Sequence, residues 1–185
     1  PIVHFHTLFS KKPFVGATMA ISSHLTLLTG IAGINVYIVR ILKLPFDISL
    51  HFYFFFFVGV IITGILKMFF YSSVGAGFLG TLGSSALLYV SIHWIILGNT
   101  INIPLLYIQG LLLGFGASMT LVSGSMATLL DGDLKEAAQR SQTMHTIRNF
   151  SAAMLIPIIA YTIKNHIQKG TQSIYCLLYT SDAAD

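Results

Sequence analysis

The chain has 185 residues, of which 55% are hydrophobic and 9% charged. A soluble domain carries about a quarter charged residues, so this composition cannot cover a water-facing surface. The formal charge of +4 comes from basic residues scattered at the ends of apolar runs, which marks topology rather than a nucleic-acid footprint. The apolar runs are continuous and reach about 20 residues, the length that crosses a bilayer as a helix. They lack the alternating rhythm of roughly 10 residues that a transmembrane barrel needs. The composition therefore defines an all-α, polytopic transmembrane helix bundle.

Residues 1–13, "PIVHFHTLFSKKP", read as a polar-flanked lead-in, and Pro1 already has mid-sequence character, with no Met start or leader pattern. Lys11 and Lys12 mark a membrane boundary, and Pro13 suits a first helical turn. The first helix is expected over about 14–39, ended by Arg40 and Lys43 with Pro45 beyond. Asp47 is placed to cap a second helix over about 48–70, whose "FYFFFF" at 52–57 is bulky on every side. "YSS" at 71–73 reads as a very short turn into a third helix over about 74–97, closed by Trp94, Gly98 and Asn99. A fourth helix opens at Pro104 and runs to about 130, where "DGD" breaks it. "DLKE" at 133–136 has capping-box spacing, with Asp133 as cap and Glu136 reaching back. The fifth helix, about 134–166, is too long for one bilayer crossing, so its polar first third is expected to project.

Five spans put the two ends on opposite sides of the membrane. Lys11, Lys12, Lys67, Lys135, Arg140 and Arg148 fall on one side, against Arg40, Lys43, Lys164 and Lys169 on the other. That bias places the lead-in, the 71–73 turn and the 131–147 stretch in the cytoplasm.

Small residues repeat at helical spacing: Ala76, Gly80 and Ser84 on the third span, Gly110, Gly114 and Ser118 on the fourth. Such faces let backbones approach closely, either as static packing or as surfaces that slide during a conformational cycle. Polar groups at membrane depth are costly and mark candidate sites. His24 lies near the middle of the first span, with Asn35 and Tyr37 towards its outer end, and Gln109 opens the fourth. On the fifth, Ser141, His145, Arg148 and Ala152 form a stripe, with Asn149 beside it. His24 reads equally as a cavity-lining group or a satisfied interhelical hydrogen bond. Arg148 reads as a cavity or gate residue, with snorkelling to the interface as the alternative. His93, beside Trp94, reads as interfacial, and Pro157 is expected to kink the fifth helix. No carboxylate falls at mid-span, and no metal spacing, phosphate-binding loop or nucleophile–base pairing appears, so no cofactor or metal is expected.

The stretch "PLLYIQGLLLGFGASMTLVSGSMATLLDGDLKEAAQRSQTMHTIRNFSAAM" at 104–154 resembles a major facilitator superfamily transporter, and more narrowly the fourteen-helix drug:proton antiporters. Gln109, Gly110, Gly114, Gly116, Arg148, Ser151 and Ala152 match the layout of the fourth and fifth helices of that family's C-terminal half, and "HFHTLFSKKPF" resembles the lead-in to its first helix. The turn "KMFFYSSVGAG" departs from the family's Gly/Asp/Arg-rich gate motif, having one Lys and no acid. The resemblance implies five spans of an incomplete six-helix half and a missing N-terminal half of the same chain. It implies a bacterial cytoplasmic membrane location, with the lipid bilayer and a small-molecule substrate as partners. It also implies proton-coupled export of small amphipathic compounds; the first and fourth helices of such a half face the cavity, which points to His24, Asn35, Gln109 and Ser118, while His145, Arg148 and Asn149 join the cavity-lining set from their polar stripe. A membrane-embedded enzyme or a passive helical subunit is the rival reading. The sixth helix should begin after "KGTQSI", but "CLLYTSDAAD" at 176–185 looks instead like the translation of a sequencing adapter and is set aside.

Overall fold

The computed structural model describes residue 8, residues 11–97, 102–130 and 134–182, with the side chains beyond 165 left out. Among the described residues everything regular is helical: α1 (Lys11–Val36), a π-helical turn (Tyr37–Ile41), α2 (Phe46–Leu97), α3 (Ile103–Leu130), a 3₁₀ turn (Leu134–Glu136) and α4 (Ala137–Asp182). All four α-helices are long and apolar enough to cross a membrane, which fits a membrane-embedded protein.

The 52 residues of α2 would extend roughly 78 Å if straight, more than twice the hydrocarbon thickness of a bilayer. They do not run straight. Gly75 has φ 75° and ψ 169°, a conformation essentially reserved for glycine, and the chain reverses there. Contacts with α3 show the reversal. In the first arm of α2, residues 46–74, Phe52 lies against Gly110 and Phe56 against Gly114. Further along, the Thr63 hydroxyl donates to the Phe115 carbonyl and Lys67 donates to Ser118 and Met119. The numbers rise together, so this arm is parallel to α3. In the second arm, residues 76–97, Gly80 approaches Ser123, Gly83 faces Thr120, Leu87 faces Gly116 and Trp94 reaches Gln109. Here they run in opposite senses, so the second arm is antiparallel to α3. The expected turn at 71–73 is thus displaced: those residues stay helical, and the break falls at the first position free of a Cβ.

The same reasoning orients the rest. Gly16 crosses Gly124, and the Ser23 hydroxyl donates to the Ala117 carbonyl, so α1 is antiparallel to α3. Met144 packs with Ala17 and Ala20, and Leu155 lies with Leu25 and Thr29, so α4 is parallel to α1. Helix α3 therefore sits centrally, touching α1, both arms of α2 and α4.

Inside lipid, burying apolar side chains gains little, because the solvent is as apolar as they are; close packing and hydrogen bonding hold helices together instead. Three of the glycines of α3 show that logic on three neighbours. Gly114 meets the Phe56 backbone, Gly116 meets Gly83 and Leu87, and Gly124 meets Gly16 and Ala20. Each serves a different neighbour. On the second arm of α2, Gly83 rather than Ser84 makes the closest backbone approach, while Gly80 packs on Met19. Ser84 is exposed and Ala76 half-buried.

Several boundaries differ from expectation. Helix α1 begins at Lys11 and gives way at Tyr37 to the π turn, where Leu42 N–H donates to the Tyr37 carbonyl. Lys43 then takes a left-handed φ of 51° before α2 starts. Asp47 is inside the first turn of α2 instead of capping it, where its charge still favours the helix N-terminus. Residues 134–136 form a 3₁₀ turn, so α4 starts at Ala137, and it runs through Pro157 to Asp182. The "DGD" break, Asp133 as cap, and the Gly98–Asn99 helix end lie outside the described residues.

Candidate functional site

Two clusters and one groove concentrate the polar groups of the bundle. At the end where α1 and α4 begin, Arg140 is 2% exposed. Its Nε and Nη2 donate to the Thr128 and Leu129 carbonyls at 3.0 Å each, and its Nη1 lies 3.7 Å from the Glu136 carboxylate. These carbonyls belong to the last turn of α3, where no further N–H of the helix can reach them. A cation there also faces the negative end of the helix dipole. Thr128 adds a hydroxyl bond to the Pro13 carbonyl at 3.4 Å, tying the start of α1 to the same point. Arg140 was expected only as a cytoplasmic charge. It is a buried cap, and no sequence signal separates it from a loop arginine because its acceptors are backbone groups.

Lys67 is the second surprise. Expected at the membrane boundary, it turns inward, and its ammonium donates to the Ser118 and Met119 carbonyls at 3.1 and 2.9 Å. Ser118 thus contributes its backbone, with its side chain half-buried. The first arm of α2 is therefore fastened to α3 by small-residue contact and by a charge-assisted bond to backbone.

At the opposite end, Gln109 is 2% exposed rather than open to a cavity. Its Oε1 accepts from Trp94 Nε1 at 2.7 Å, and its Nε2 pairs with His93 Nδ1 at 2.7 Å. The expected interfacial His93 is thus part of a knot between α3 and the second arm of α2. Asn35 accepts from the Tyr53 hydroxyl at 2.8 Å, joining α1 to the first arm of α2.

Between these ends lies a groove. A cavity of about 610 Å³ is bounded by Leu25, Thr26, Thr29, Gly30 and Gly33 of α1, Ser91 and Trp94 of α2, Leu113 of α3 and Leu155 of α4. A smaller one of about 260 Å³ adjoins it, sharing Thr26 and Ser91 and adding Ser22, Ser23, Ser84 and Thr120. The wall is thus apolar with scattered hydroxyls, and helix hydroxyls can turn back to their own carbonyls, as Thr29 and Ser91 do here. The volume falls in the range of small-molecule sites.

His24 of α1 and Arg148 of α4 lie near the α1–α4 seam, next to this groove but outside its lining. His24 is half-buried, and Arg148 is half-buried with its Nε buried and lacking a hydrogen-bond partner. Arg148 is close enough to His24 and His145 to act electrostatically on both. Asn149 and His145 are exposed. The buried face of α4 is 140, 143–144 and 152, so the expected stripe of Ser141, His145 and Arg148 borders the packed face instead of forming it.

Comparison with family models, curated proteins and solved structures finds no match to this chain.

Proposed function

We propose that this chain is part of the C-terminal half of a proton-coupled secondary transporter of the major facilitator kind, one that exports small amphipathic compounds across a bacterial cytoplasmic membrane. The observation that carries this reading is the groove of about 610 Å³ between α1, the second arm of α2, α3 and α4. It is bounded by α1 and α3, the first and fourth spans in this reading, where the resemblance to a transporter half leads one to look for a substrate path. Its apolar wall with a few hydroxyls suits an amphipath. Alternating access then rocks this half against the rest of the chain around the groove.

The reversal at Gly75 supports five crossings in this reading: α1, the two arms of α2, α3 and α4 alternate in direction. The start of α1, Gly75, the end of α3 and the start of α4 gather at one end, and residues 42–45, the end of α2 and the start of α3 at the other. By the basic-residue bias the first end is cytoplasmic. Single cysteines introduced at positions 43 and 135 are expected to label with a membrane-impermeant reagent from outside and only after permeabilisation, respectively. The opposite pattern would reverse the orientation.

The functional test uses the full-length protein in proteoliposomes with an imposed pH gradient. Wild type is expected to move an amphipathic fluorescent probe in response to the gradient. His24→Ala is expected to slow that movement several-fold at unchanged yield, because His24 stands beside the groove and takes no part in the packed glycine contacts. Absence of gradient-driven movement by wild type would remove the transporter reading.

A further inference from the structure

The cations inside the bundle are not treated alike. Arg140 and Lys67 are each neutralised by helix carbonyls, and Arg140 also by Glu136. Arg148 has no such partner among the described residues: its Nε is buried and unbonded. Nor can one be supplied by its surroundings, since α1, α3 and residues 137–165 of α4 contain no Asp or Glu, and the only acid of α2, Asp47, lies at the far end. The helix register fixes where Arg148 sits. One turn before it, Met144 packs on Ala17 and Ala20; two turns after it, Leu155 closes the groove with Leu25 and Thr29. Arg148 thus lies on the same face of α4, between the Met144 contact and the groove, about the level at which α1 carries His24. It lies roughly 16 Å along the helix from Ala137. An uncompensated guanidinium at such depth is costly, and a bound anion would offset that cost. The imidazole of His24 offers a ring N–H in either protonation state.

We infer that Arg148 and His24 bind the head group of an amphipathic organic anion, a carboxylate on a medium-length hydrocarbon, whose apolar body lies in the groove above them. A planar guanidinium matches a carboxylate with two parallel hydrogen bonds. The apolar wall running from Leu25 to Gly33 accepts the hydrocarbon. This assigns a substrate class to the transporter read in the previous subsection and rests on that reading for its transport meaning, while the binding site stands on the geometry alone.

The test measures binding to the full-length protein in phosphatidylcholine nanodiscs with two probes of equal chain length and opposite charge, decanoate and decyltrimethylammonium. Wild type is expected to bind decanoate and to unfold at a higher temperature in its presence. Arg148→Gln is expected to weaken decanoate binding roughly 30-fold, with decyltrimethylammonium unaffected. Arg148→Lys, which keeps the charge and loses the fork, is expected to fall between and guards against a folding defect in the glutamine variant. Equal decanoate affinity in wild type and Arg148→Gln overturns the site, as does a preference for the cationic probe. Added phosphatidylglycerol distinguishes a lipid source of the anion: if it stabilises the protein in an Arg148-dependent way while decanoate does not, the seam holds a lipid head group and the substrate assignment falls. Arg148-dependent decanoate binding in a protein that shows no gradient-driven movement would retain the site and discard the transporter.

Discussion

Gly114→Ala is expected to force α3 away from the first arm of α2 and to cost about 3 kcal/mol. A Cβ there meets the carbonyl and Cα of Phe56, which are backbone atoms and cannot swing aside as a side chain would. A Cβ built on Gly110, on the same face, would likewise come within 2.8 Å of the Phe52 carbonyl, so the whole contact has no slack to absorb the strain. The helices can relieve it only by separating, which also loosens the Lys67 ammonium from the Ser118 and Met119 carbonyls. Gly64→Ala on the same arm is the control, because a Cβ there meets nothing within 4 Å and alanine favours the helix. Thermal unfolding of the detergent-solubilised protein should show a lower midpoint for Gly114→Ala and none for Gly64→Ala. Equal midpoints for the two variants would mean that the α2–α3 contact is looser than this geometry.

Arg140→Ala should destabilise the end of the bundle where α1 and α4 begin by about 3 kcal/mol. Two charge-assisted hydrogen bonds disappear, and the Thr128 and Leu129 carbonyls are left without a donor. Thr128 itself is buried, so water does not readily replace the guanidinium there. Arg140→Lys is expected to recover only part of the loss, since one ammonium cannot reproduce a fork that spans two successive carbonyls and an acid. Glu136→Gln should cost much less, because the Glu136 side chain is 47% exposed and the pair distance is 3.7 Å. Limited proteolysis at the α3–α4 connection checks the order: fastest cleavage in Arg140→Ala, slower in Arg140→Lys, near wild type in Glu136→Gln. Similar rates in all four proteins would assign the α3 cap to other groups.

The places where these two effects arise show how differently the two glycine and arginine sites were written into the chain. The small-residue face of Gly110 and Gly114 is legible from spacing alone, because residues four apart on a helix share a face. Its partner is not legible, since Phe52 and Phe56 look like any bulky lipid-facing residues in "FYFFFF". Arg140 is legible only as a charge near a boundary. Its burial follows from α4 crossing the end of α3, a tertiary fact. Gln109 shows the same limit in reverse. A glutamine opening an apolar helix marks a polar need at depth, and it is met by Trp94 and His93 of another helix rather than by an open cavity. The turn expected at "YSS" falls instead at Gly75, where a positive φ is free of steric cost.

The sequence by itself determined that this protein is helical and suited to a membrane, and where its long apolar segments lie to within a few residues. Length and hydropathy decide those properties, because a backbone in lipid must satisfy its hydrogen bonds within its own helix. It also determined that charge inside the segments is scarce enough for each instance to matter. Only the tertiary structure decided that α2 doubles back on α3, that Lys67 and Arg140 spend their charge on helix carbonyls, and that Arg148 is left over beside a groove. Those outcomes depend on which helix faces reach one another. In a bilayer no difference in hydrophobicity selects the faces, so close backbone approach and directed hydrogen bonds select them, and both exist only once the helices have met.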